Sequence, residues 1–172
     1  MRGTGAAVAI GLEPSGEMVA AGIASHGPLA DAEIIAGDVR SMPFPDQAFD
    51  TVWCRLVLGH LPQIEQAYAE LGRVADAGGT VVVSDFHPAA YAAGHRRTFR
   101  ADGHVIEIEH FVHCIELHVE AAGAAGLSLL ASREAAIGAD VRAFYEQAGV
   151  AGLYARHAGL PVVLALSFRK GA

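Results

Sequence analysis

Cysteine is scarce in this 172-residue chain: Cys54 and Cys114 are the only two, with no ligand spacing and no pattern of a disulfide framework. That excludes the small disulfide-stapled folds and fits a reducing cytosol. Basic charge is also thin, with 12 Lys and Arg against 19 Asp and Glu, a net −7 with nine neutral histidines. Nucleic acid and anionic membranes both call for a basic surface, so neither is expected as a partner. Arg96, Arg97 and Arg100 form the one local basic cluster, which reads as a solvated loop. No apolar run is long enough to span a bilayer, and no charged-then-apolar leader opens the chain, so a soluble, cytoplasmic protein is expected. The twenty glycines have no repeat period, which excludes collagen and low complexity. They stand at turns such as Gly78, Gly79, Gly126 and Gly159.

What is present is apolar: 52% of residues are hydrophobic, enough for one sizeable core, and one domain over residues 1–172 is expected. Strand-like runs at residues 8–12, 32–37, 49–54 and 80–84 alternate with helical patterns at 17–24 and 64–75. The run at 80–84 is an uninterrupted apolar and β-branched stretch, as in a strand buried on both faces. Such alternation predicts an α/β fold, a Rossmann-like, mostly parallel sheet with flanking helices. Beyond Asp85 the pattern predicts a loop with a short helix over 86–100, an extended segment over 105–112 and a helix over 116–125. Final strands are predicted at 127–137 and 160–170, with a helix at 139–148 between them.

In an open sheet, ligands sit at the carboxyl ends of the strands. Glu13 closes the first run, where a carboxylate suits a pair of ribose hydroxyls, and Asp38 closes the second, where it suits an exocyclic amine. The Val39 N–H is placed to donate to a ring nitrogen, and Met18 to lie along an adenine face. Glu13 and Asp38 fit equally well as caps of the turns that follow them. The block GDVRSMPFPDQAFDTVWCRLVLGHL (residues 37–61), then a helix, the turn ADAGG and the strand TVVVSDF, resembles the class I S-adenosylmethionine-dependent methyltransferases. The likeness is to their small-molecule, ubiquinone/menaquinone branch, over residues 11–90. It implies S-adenosylmethionine as cofactor, the same roles for Glu13, Asp38 and Val39, and a place for Cys54 beside the methionine part. It also implies an antiparallel last strand.

The resemblance further implies a glycine loop between a first strand and a long helix, of which Gly3 and Gly5 are the counterparts here. Only residues 6–12 separate Gly5 from Glu13, too few for a crossover of about a dozen residues or more. The expectation is a first strand–helix unit missing or rearranged: a degenerate relative, a second copy lending an element, or residues 8–12 in the central position. Unpaired strand edges would then favour a homodimer. Two functions stay open: methyl transfer to a small-molecule acceptor, or a non-methylating binder, lyase, cyclase or partner subunit on the same scaffold.

Nine histidines supply the remaining chemistry. His104, His110, His113 and His118 crowd one segment; on an extended chain His104 and His110 share a face, and Glu109 and His113 the other. No zinc spacing matches, so no metal is expected. The family resemblance makes this segment a cover for the substrate pocket, with His110 and His113 as substrate-side residues. His87, in SDFHP, is the first choice for a base, because an imidazole titrates near neutral pH. His60 reads as a cap for the helix that follows it. Each histidine also fits the polar face of a half-exposed strand.

Overall fold

A computed structural model describes residues 8–26 and 32–172. It divides into two compact units, Met1–Pro45 and Asp46–Ala172, and each is described by itself.

In the first unit, β1 (Ala9–Glu13) pairs in parallel with β2 (Ala32–Ala36), Glu13 lying opposite Ala36. Between them runs α1 (Gly16–His26). Its start is fixed by Ser15, whose Oγ accepts from the Met18 N–H at 3.3 Å, a side-chain cap for a donor with no helical partner. Gly37 follows β2 where a Cβ would stand 2.5 Å from a Leu12 methyl carbon, so the chain can turn there close to β1.

The second unit holds β3 (Phe49–Arg55), α2 (Glu65–Val74), β4 (Ala75–Phe86), α3 (Pro88–Ala92), β5 (Thr98–Ala101) and β6 (His104–Glu107). It continues with α4 (Ile115–Ala124), β7 (Leu127–Ala136), α5 (Arg142–Gln147), α6 (Ala151–His157) and β8 (Pro161–Lys170). A four-stranded sheet has the order β3-β4-β8-β7. β3 and β4 are parallel, and β8 runs antiparallel between β4 and β7. β3, β4 and β7 therefore share one direction, with the last strand reversed as expected. No strand among the described residues precedes β1.

Alternation on β4 puts Val81, Val83 and Asp85 on a buried face beside Phe168, Leu166 and Leu164 of β8. α2 covers that face because Ile64, Ala67, Tyr68, Leu71 and Val74 recur at helical spacing, and all are buried. The Tyr68 ring meets Phe168 edge-on at 5.9 Å. Gly72 lets α2 approach the end of α4, since a Cβ there would be 2.6 Å from the Ala125 carbonyl oxygen. On the other face Trp53 is 57% exposed.

The expected turn at 75–79 is absorbed into β4 as a register shift. Phe49 pairs with Ala75, and the next pair is Thr51 with Thr80. The extra residues bulge out through Gly78 at φ 73°. The helix expected at 139–148 is split: a 3-10 turn at Ala139–Val141 leads into α5, and α6 follows, unanticipated. The extended segment expected over 105–112 also stops early. β6 ends at Glu107: the Ile108 N–H still donates across the hairpin to the Arg97 carbonyl at 2.8 Å, and the chain then leaves it, the Phe111 N–H donating to the Gly59 carbonyl at 2.7 Å. The His104/His110 and Glu109/His113 face assignment therefore does not hold, since residues 108–114 are not a strand.

Candidate functional site

In the first unit, two carboxylates stand at the carboxyl end of a parallel pair. Glu13 accepts from the Ser15 N–H at 3.0 Å through Oε1, so it does cap the turn, with its second oxygen outside that bond. Asp38, just past β2, accepts from the Arg40 N–H at 2.8 Å and from the Arg40 guanidinium at 2.6 Å (Nη2) and 3.0 Å (Nε). Those charge-assisted bonds hold its carboxyl down at about 2, below the usual range. The Val39 N–H has no acceptor among the described residues. Met18, in the first turn of α1, is 63% exposed. Gly3 and Gly5 lie outside the described residues.

In the second unit, Cys54 is buried on β3. Burial pushes its thiol up to about 12, so it is neutral and a poor nucleophile. It helps line a shallow cavity of about 240 Å³ with Trp53, Arg55, Val82 and Ser84.

The histidines gather where β3 and β4 end. Past β3, Leu56 takes a left-handed turn (φ 54°) into a 3-10 turn, Leu58–His60. His60 does not cap α2, which starts without a side-chain cap. Instead its Nε2 accepts from Arg97 Nη1 at 3.0 Å, because a guanidinium can only donate. Burial, then the Arg97 charge, lower the His60 pKa. Past β4, His87 caps α3: its Nδ1 accepts from the Ala89 N–H at 3.0 Å, and Nε2 lies 3.3 Å from Glu134 Oε1. The His87 lone pair is thus occupied by the cap.

His110 has the complementary arrangement. Its Nδ1 is 3.1 Å from the Ile108 carbonyl, which only accepts, so the proton is on Nδ1 and Nε2 carries the lone pair. That Nε2 is buried without a partner among the described residues, and the rings of Phe86 and Tyr91 stand edge-on to His110 at 5.4 and 5.6 Å. His113, buried, donates from Nε2 to the Leu61 carbonyl at 2.9 Å. His104 is exposed on β6, outside the cluster.

A buried chain lies behind these residues. The Tyr68 hydroxyl is 3.0 Å from His118 Nδ1, and His118 Nε2 is 3.9 Å from Asp85 Oδ2, too long for a hydrogen bond. Tyr68, His118 and Asp85 are all within 3% of full burial. Desolvation raises the Asp85 carboxyl and lowers His118 to about 4, so burial opposes charge on both. Asp85 Oδ1 accepts from the Phe86 N–H at 2.7 Å and faces Gly59, where a Cβ would be 2.9 Å away. Asp85 could have been found in the sequence, because it ends a buried strand just as Asp38 does. Tyr68 carries no such signal, since it reads as one more residue of an apolar helix face.

Residues 1–83 match the family described as the methyltransferase domain. A demethylmenaquinone methyltransferase of Renibacterium salmoninarum is 41% identical over 59 residues, 34% of this chain and 25% of that protein. Another, from Lysinibacillus sphaericus, is 33% identical over 90 residues, 52% of this chain and 38% of that one. The chain thus spans about a quarter of the first relative's length. Among solved structures, an S-adenosylmethionine-dependent methyltransferase from Mesorhizobium loti superposes with a TM-score of 0.69. That match covers 96% of this chain and 82% of that one, and at 19% identity it is a likeness of fold. The matched segment and the fold are those of the class I S-adenosylmethionine-dependent methyltransferases, a likeness that implies S-adenosylmethionine as cofactor.

Proposed function

We propose that this chain transfers a methyl group to a small-molecule acceptor, with residues 1–172 working as one methyltransferase-like domain. The observation that carries this reading is the placement of Glu13 and Asp38 at the carboxyl end of adjacent parallel strands, inside the segment matched to the methyltransferase domain. S-adenosylmethionine, when bound, supplies an electrophilic methyl group on a sulfonium. Glu13 offers ribose hydroxyls the oxygen its turn does not use. Asp38, kept ionised by Arg40, accepts and never donates near neutral pH, which suits an exocyclic amine. The Val39 N–H suits a ring nitrogen, and the exposed Met18 side chain a flat base. The family resemblance assigns Cys54 to the methionine part of the cofactor, and likewise Gly3 and Gly5, which lie outside the described residues.

On the acceptor side, His110 offers a fixed lone pair on Nε2 and is the residue of choice for taking a hydroxyl proton. His113 is held by Leu61 with Nδ1 as its acceptor atom. His87 could serve as a base only by releasing the Ala89 N–H. The reading also places the chain in the cytosol as a homodimer. No helix among the described residues is long and apolar enough to cross a membrane.

Calorimetric titration with S-adenosylhomocysteine, with mass measured in solution, tests this reading. Affinity in the micromolar range that is lost in Glu13→Ala and Asp38→Ala is expected. Absence of heat at millimolar ligand would overturn methyl transfer and leave the non-methylating role on this scaffold.

A further inference from the structure

Two described arginines, Arg73 and Arg97, are half-buried. Arg73 is saturated, with Glu70 at 2.6 Å and Asp46 at 2.9 Å. Among the described residues Arg97 has no carboxylate within 4.0 Å, and its guanidinium hydrogen-bonds only to the neutral Nε2 of His60. A guanidinium carries five N–H donors in a planar fork, so most of this one is open. Asp85 is the acid within electrostatic reach, but it is buried, bonded to Phe86, and driven by burial toward its uncharged form. A partly desolvated cation left without a counter-charge is costly, more conspicuously so in a chain of net −7.

The position of Arg97 gives that open fork a use. Its carbonyl accepts from the Ile108 N–H, which ties it to the segment carrying His110. His110, edge-on to the rings of Phe86 and Tyr91, has a buried Nε2 lone pair with no partner among the described residues. Neighbouring Arg96 is already committed, to Glu107 at 3.6 Å, to the Tyr91 and His95 carbonyls, and to the Tyr91 ring face. One cationic fork, two aromatic rings and one hydrogen-bond acceptor thus occur together at the carboxyl edge of β4.

We infer that this site takes a hydroxylated aromatic carboxylate, its carboxylate on Arg97, its ring beside Phe86 and Tyr91, and its hydroxyl hydrogen on His110 Nε2. That this ligand is the methyl acceptor rests on the function proposed above; that the site binds it does not. A bidentate arginine–carboxylate pair supplies both charge and orientation, whereas a neutral ester offers only weak acceptors.

The three hydroxybenzoate isomers and their methyl esters, titrated calorimetrically into the full chain without cofactor, provide the test. At least one acid binds, its ester binds at least tenfold more weakly, and the preferred isomer reports the spacing from Arg97 to His110. Arg97→Gln weakens the acid at least tenfold and leaves the ester unchanged, Arg97→Lys retains part of the difference, and Arg133→Gln, on the exposed part of β7, has no effect. Circular dichroism checks that each variant is folded, and the acid–ester comparison in the unaltered chain needs no variant. Failure of every acid to bind, esters matching acids, or Arg97→Gln binding like the unaltered chain each overturns the assignment. Hydroxybenzoate binding without S-adenosylhomocysteine binding would remove methyl transfer and keep this site; the reverse would remove this site alone.

Discussion

His118 gives the sharpest quantitative prediction. In the unfolded chain its imidazole takes a proton as pH falls through the usual value near 6.5, whereas in the fold burial delays this to about 4. Between those values the unfolded state binds more protons, so stability falls as pH falls; it is fully present above about 6.5 and lost toward 4. At about 1.36 kcal/mol per pKa unit, the interval corresponds to about 3 kcal/mol, a large share of the stability of a small domain. The raised Asp85 carboxyl acts in the opposite sense, taking its proton earlier in the fold than in the unfolded chain. It is present in both proteins of the comparison that follows. Urea denaturation at pH 7, 6, 5 and 4 is measured for the unaltered chain and for His118→Gln, whose amide can reach toward Asp85 but does not titrate. The unaltered chain starts out more stable and loses about 3 kcal/mol more than the variant across the series. Equal losses in the two proteins, or an imidazole of His118 titrating near 6.5 by NMR, would refute the reasoning.

Three further outcomes follow from the packing. Gly59→Ala places a Cβ 2.9 Å from Asp85 Oδ1 and 3.3 Å from the Phe111 carbonyl oxygen. Neither neighbour is free to move, so a loss of about 1–3 kcal/mol is expected in chemical denaturation, and an unchanged midpoint would show that the 3-10 turn is looser than described. Gly72→Ala drives a methyl to 2.6 Å from the Ala125 carbonyl oxygen and should lower the melting temperature by several degrees, by pushing α2 off the end of α4. Brief alkylation with iodoacetamide at pH 8 should modify Cys114, which is exposed, and spare Cys54, which is buried and neutral. Mass spectrometry showing rapid labelling of both thiols would contradict the burial of β3.

The sequence by itself determined the order of strands and helices from β1 to β4, because hydrophobic periodicity is local. The uninterrupted run around Val81 and Val83, and the helical spacing of Ile64, Ala67, Leu71 and Val74, each admit one reading. It also placed Glu13 and Asp38 at the carboxyl ends of β1 and β2, the end at which open sheets bind ligands. Tertiary structure alone decided which polar atoms are occupied. His87 and His110 look alike in sequence, each a histidine near apolar residues. One spends its lone pair on the Ala89 N–H, and the other is left with a lone pair because its proton is held by the Ile108 carbonyl. Arg97 looks like one member of a solvated basic cluster until residues 108–114 fold back onto Gly59 and His60 is found to be its partner. Tyr68, His118 and Asp85 lie far apart in the chain, and only the packing of α2 and α4 on β4 brings them together. Hydrogen-bond partners and burial depend on contacts between distant segments, and those contacts leave no period in the sequence to read.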